Sequence, residues 1–168
     1  YDVTIAAYGI ASRLLTFAFL PLLGLNFACQ SIVGNNFGAG LFARSDRTLL
    51  VGLGVGLCYG LGVETTFMLA AGPLAALFVD DSAIIAEAVR IVRLIALVYV
   101  LVGPLMVLSG YFQAIGKAAN AAVISLGRTY LFTIPFIFAL PLAFGETGIW
   151  LAAPAADLGM LALAIIVL

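Results

Sequence analysis

Charge is what this sequence has least of. Of its 168 residues, seven are Lys or Arg and eight are Asp or Glu, a net charge of −1. No basic tract is present, so the electrostatic footprint of a nucleic-acid binder is missing and no nucleic-acid partner is expected. Histidine is absent, so this chain supplies neither a histidine-based zinc site nor a histidine proton switch. The two cysteines, Cys29 and Cys58, sit inside apolar runs and read as small packing residues rather than a disulfide or metal pair. No nucleophile–base pair or metal-ligand spacing stands out. The glycine-rich GNNFGAG at 34–40 lacks the lysine and the preceding strand of a phosphate-binding loop. Neither an enzyme nor a cofactor is expected.

What the chain does have is apolar length. It is 65% hydrophobic with a mean hydropathy of +1.26, a composition that belongs in lipid. The uncharged run Leu94–Gly116 is 23 residues long, flanked by Arg90 and Arg93 before and Lys117 after. At about 1.5 Å per residue it can cross a hydrocarbon core of about 30 Å. The expected fold is an all-α integral membrane protein, a bundle of about five transmembrane helices over 3–37, 48–69, 82–116, 118–142 and 149–168. Pro21 and Pro104 are expected to kink the first and third, Gly72–Pro73 to close the second, and Pro135 and Pro141 to break the fourth. Arg44, Asp46 and Arg47 read as an exposed loop, and 145–148 as a turn. The basic loops at Arg44/Arg47 and at Lys117 fall on one side of a five-span bundle, which positive-inside places in the cytoplasm. The chain opens on Tyr1–Asp2, with no initiator Met and no positive signal region, and ends in apolar sequence. A piece of a longer polypeptide is expected.

Polar residues inside such spans need partners. Asn26 and Gln30 are four apart and share a face that should look inward. Gly52, Gly56 and Gly60 form a GxxxGxxxG stripe suited to close helix packing, and Glu64 continues it one turn on. Glu64 and Asp157 are the intramembrane acids. Each is either a cation or proton site or a structural acid, Glu64 facing an arginine and Asp157 the backbone freed by Pro154. Arg128 must snorkel or pair with an inward acid. Glu87 and Arg90 can pair at the start of the third helix, and Trp150 reads as an interfacial anchor.

Several stretches resemble the MATE (multidrug and toxic compound extrusion) family, in its C-terminal half: AAYGIASRL at 6–14, QSIVGNNFGAG at 30–40, LFVDDSAIIAEAVRIVRL at 77–94, GYFQAIGKAANAAVISLGR at 110–128, and FGETGIWLAAPAAD at 144–157 after TIPF at 133–136. Their order and spacing cover essentially the whole chain. The resemblance implies the C-terminal lobe, helices eight to twelve, of a two-lobed twelve-helix transporter. It implies export of drugs or organic, often cationic, amphiphiles by antiport with sodium ions or protons, and a bacterial or archaeal cytoplasmic membrane. Its partners would be the lipid bilayer, those substrates and the N-terminal lobe. Some members place a coupling acid in the seventh and tenth helices. The seventh is absent here and the tenth, Leu94–Gly116, holds no acid, so the coupling site is expected outside this chain. The alternatives are a lipid-linked substrate flippase of the same superfamily, which should carry more cavity cations, and a non-transporting membrane module.

Overall fold

A computed structural model describes residues 2–167; Tyr1 and Leu168, the two ends of the expected lobe, lie outside the described residues. The described residues are helical with short connections: α1 (Asp2–Gly38), α2 (Phe42–Ala76), α3 (Ser82–Ile95), α4 (Val102–Ala114), α5 (Ala118–Gly127), α6 (Ile134–Phe144) and α7 (Glu146–Val167). A 3₁₀ stretch, Ala96–Leu101, joins α3 to α4, and a π-helical turn, Arg128–Thr133, joins α5 to α6. Four stretches are long and apolar enough to cross a membrane: α1, α2, α5–α6 and α7. The bent α3–α4 pair makes a fifth. The all-α membrane architecture expected from composition is the one observed.

Packing explains how so apolar a chain is arranged. α1, α2, α3 and the 3₁₀ stretch share one core built on Leu22, Phe67, Ile91 and Val92. α4, α5 and α7 share a smaller one around Leu105, Ile124 and Met160. The large side chains left outside, such as Phe138 and Leu142, the latter 89% exposed, would be a liability in water and are ordinary in hydrocarbon. α6 buries none of its residues.

Glycine turns and one side-chain cap, not clusters of charge, set these helix ends. Gly40 (φ 73°) and Gly116 (φ 79°) each close a Schellman turn, in which the next residue's N–H donates five residues back: Leu41 to Asn36 at 2.8 Å and Lys117 to Phe112 at 2.9 Å. The loop expected at Arg44, Asp46 and Arg47 is therefore the first two turns of α2, because charged residues do not stop a helix once glycine has reversed the chain. Gly72–Pro73 does not close α2 either. Proline so near the end costs few hydrogen bonds, and the helix runs to Ala76. Asp81 caps α3, its Oδ1 accepting from the N–H groups of Ala83 (2.8 Å) and Ile84 (3.2 Å). Pro135 and Pro141 do not break the fourth span. Pro135 follows the π turn, where the Thr133 hydroxyl donates to the Arg128 carbonyl (2.8 Å), and Pro141 sits inside α6. The turn expected at 145–148 shrinks to Gly145 (φ 59°). Gly148, already in α7, lies so close to the Leu140 backbone that a Cβ there would meet its carbonyl oxygen at 2.5 Å.

The third span breaks sharply. α3 and the following helix meet at 49°. Val98 leaves helical geometry (φ −135°, ψ 33°), six residues before Pro104, whose ring crowds the Val100 carbonyl and whose nitrogen cannot donate to it. The α2 glycine stripe faces this break. A Cβ at Gly56 would sit 3.1 Å from the Gly103 carbonyl carbon and 3.2 Å from the Pro104 nitrogen, and one at Gly60 2.8 Å from Val100 Cα. Gly52 lies in the same way against Cys29 Sγ and Val107.

Two polar ties fix which ends lie together. The Tyr111 hydroxyl donates to Asp46 (2.6 Å), joining the end of α4 to the start of α2. Arg90 bonds Glu87 (2.6 Å), Glu146 (3.1 Å) and Thr147 (3.2 Å), joining α3 to the start of α7. Trp150, read from the sequence as an interfacial anchor, lies in the first turns of α7. Its ring lies 5.3 Å from that of Tyr8 and packs on the α1–α3 core.

The stripe yields a test. Gly56→Leu in the full-length polypeptide should lower stability by about 1–3 kcal/mol through overpacking. Gly54→Leu, at a position with nothing within 4 Å of a Cβ, should leave it unchanged. Thermal melting in detergent reads both; equal melting temperatures would refute the packing role of the stripe.

Candidate functional site

Asp157 and Arg128 belong to different spans and meet in the interior. Asp157, on α7, is 3% exposed. Arg128, at the first position of the π turn, reaches it as a fork. Its Nε donates to Oδ1 and its Nη2 to Oδ2, the latter at 3.2 Å. Both charges are thus matched, which offsets much of the cost of a few kcal/mol that a lone charge carries in hydrocarbon. Asp157 is not taken up by the backbone near Pro154, the structural alternative read from the sequence. The carboxylate is covered, but the arginine side chain is 39% exposed and lines two adjoining pockets of about 280 and 250 Å³. Phe19 and Val102 line both. The larger adds Thr16, Tyr99 and Asp157. The smaller adds Asn26, Ser109, Gln113 and Ser125.

Asn26 and Gln30 face the neighbouring span: a Cβ added to Gly110 of α4 would strike Asn26 Oδ1 and come within 3.0 Å of Gln30. Asn26 Oδ1 is buried without a hydrogen-bond partner. Only Asn26 of the two reaches the Arg128 pockets.

Glu64 stands apart from that pair and does not meet an arginine. Its carboxylate accepts the Val100 N–H at 3.0 Å, at the break in the third span. The residue that continues the α2 glycine stripe therefore caps the break the stripe accommodates. Gly52, Gly56 and Gly60 are packing positions, all buried.

Tyr59 escaped sequence reasoning, and Tyr99 reads there only as one of several aromatics, with Tyr111 and Tyr130, that could stack on an aromatic substrate. The Tyr59 hydroxyl donates to the Ala18 carbonyl (2.9 Å), in the turn ahead of Pro21. Tyr99 is 6% exposed and its hydroxyl has no partner, although the side chain lines the larger pocket. Among many aromatics no spacing marked either one. The available signal was Tyr99's place just before Gly103–Pro104, where a helix break brings side chains inward.

With this geometry in view, comparison with known proteins is decisive about kinship. The profile of the MatE family matches residues 2–139. This chain belongs to the MatE family. It is 31% identical over 165 residues to the probable multidrug resistance protein NorM of Rhizobium meliloti (88% of this chain, 33% of that protein). It is 29% identical over 167 residues to the multidrug export protein MepA of Staphylococcus aureus (99% and 37%). With the solved structure of the MATE multidrug transporter DinF-BH it superposes at a TM-score of 0.85 and 32% identity, over 95% of this chain and 36% of that one. An inward-facing multidrug resistance MATE transporter at 21% identity and TM-score 0.82 shares the fold, over 98% of this chain and 40% of that one. The chain spans about a third of the length of its named relatives (33% and 37%). MatE membership and the membrane-length helices make it part of an integral membrane protein, in a family of transporters rather than enzymes.

The ion pair is testable in the full-length MatE protein. Asp157→Ala strands the Arg128 charge and should cost about 3–5 kcal/mol. Arg128→Leu in the same chain should recover much of that loss. Folded yield and melting temperature form the cycle; additive losses would show that the two charges are not coupled.

Proposed function

We propose that the full-length protein exports drugs or organic cations of amphiphilic character by antiport with sodium ions or protons, and that this chain is its C-terminal lobe. The observation that carries this reading is the pair of pockets around Arg128, mostly apolar with a few polar groups among the lining, between helices of a MatE fold. Binding regions near the midplane of repeat-built transporters have this character. The relatives named for multidrug export and resistance support it. The driving-ion site lies outside this chain. Here both oxygens of Asp157 are engaged by Arg128 and Glu64 accepts a backbone N–H at the break in the third span, which supports a site elsewhere. The protein resides in a bacterial or archaeal cytoplasmic membrane, with the Gly40 and Gly116 turns inside. The Tyr111–Asp46 tie, which draws those two ends together, fits that arrangement. One arginine, Arg128, in this pocket pair fits a drug exporter better than a flippase for lipid-linked phosphates.

The test is transport by the full-length protein in proteoliposomes loaded with ethidium. An imposed inward sodium or proton gradient should accelerate ethidium release several-fold, and the isolated 168-residue chain should release none, because one lobe cannot alternate access by itself. Ethidium release indifferent to both gradients, or binding of a lipid-linked sugar with no response to drugs, would overturn the proposal.

A further inference from the structure

Resting on the export reading above, we propose that the pocket beside Arg128 receives the anionic, hydrogen-bond-accepting end of an amphiphilic substrate, a carboxylate or phenolate, rather than its cationic end. The pair is neutral in sum but not symmetric in what it shows. Asp157 is the covered partner, 3% exposed, and both of its oxygens are engaged by Arg128. Asp157 lines the pocket but offers a cationic group little surface, whereas the guanidinium, its side chain 39% exposed, is the larger charged face.

What the pocket offers instead is donors. A guanidinium carries five N–H groups in a fixed fork. Arg128 uses Nε and Nη2 on Asp157, and its Nη1 makes no hydrogen bond among the described residues. The Tyr99 side chain lines the same pocket, and its hydroxyl, buried behind that wall, is also without a partner among them. Arg128, 39% exposed, offers Nη1 to a ligand directly; the Tyr99 hydroxyl, unpaired and closed off from water at a cost, gains a partner where a small shift of the wall lets a ligand oxygen reach it. The rest of the lining is largely apolar, with Leu15, Phe19 and Val102, as the ring next to an aryl carboxylate or phenolate requires. About 280 Å³ is near the lower bound for a drug-sized molecule, roughly 300–1,000 Å³. The pocket therefore holds one end group, and the rest of the substrate extends past Phe19 toward the second pocket.

Rhodamine B, which bears a free carboxylate, and its ethyl ester, in which that group is masked, separate this proposal from general hydrophobic binding. Binding to the purified full-length protein is read by fluorescence anisotropy. Wild type should bind rhodamine B more tightly than the ester. Tyr99→Phe, which removes one hydroxyl without changing the ring, should lower the ratio of the two affinities about tenfold, the scale of one hydrogen bond to a charged group. Arg128→Lys, which keeps the charge facing Asp157 but loses the spare guanidinium N–H groups, should lower it likewise. Leu142→Ala, on the outward face, should leave the ratio alone. An ester bound as well as the acid by wild type, a ratio that neither pocket variant moves, or binding of neither dye overturns the site. Since binding and not transport is measured, protein that binds rhodamine B selectively yet moves no ethidium would sustain the site and sink the export reading. Ethidium transport with no dye selectivity would do the reverse.

Discussion

The arrangement depends on one contact, the glycine face of α2 against the broken third span. In lipid a helix cannot simply stop, because there is no water to take its freed N–H and C=O groups. Here Gly56 and Gly60 let the broken backbone approach to a distance at which no side chain fits, and Glu64, one turn further along the same stripe, accepts the Val100 N–H. Small residues and a carboxylate at four-residue spacing thus solve one problem together. The break in turn directs Tyr99 and Val102 toward α7 and the π turn, where the pocket forms.

The same logic governs Arg128. It sits where the fourth span widens into a π turn, and such bulges occur often at functional positions. The local change of pitch sets the guanidinium facing Asp157 across 29 residues of sequence. A buried fork of this kind fixes the register between α5 and α7 as well as matching charge, although its net contribution to stability is modest compared with the cost of removing one partner. The outcome is a helical bundle in which Glu64 and Asp157 both have hydrogen-bond partners. What it presents to a ligand is the arginine's unspent donors.

Much of this was legible. A mean hydropathy of +1.26 admits few folds besides a membrane bundle, the glycine spacing on α2 announces a helix contact, and Pro104 marks a bend. The motif order at 6–157 carries the family. The less legible parts have identifiable causes. Arg44, Asp46 and Arg47 looked like a loop because charge correlates with loops, yet only Gly40 had the backbone freedom to end a helix. Pro73, Pro135 and Pro141 looked like breaks, yet proline near a helix end, or just after a π turn, removes little that packing does not replace.

Composition and local pattern determined that the chain lies in lipid, that it is helical and about how many times it crosses, because each of these follows from the solvation of short stretches considered alone. The partner of each buried polar group was decided only by tertiary structure. Glu64 could have met an arginine and meets a backbone N–H; Asp157 could have met the backbone and meets an arginine. Those choices depend on how far each helix is rotated and displaced against its neighbours, and that is set by the sum of many apolar contacts, none of which is local in the sequence.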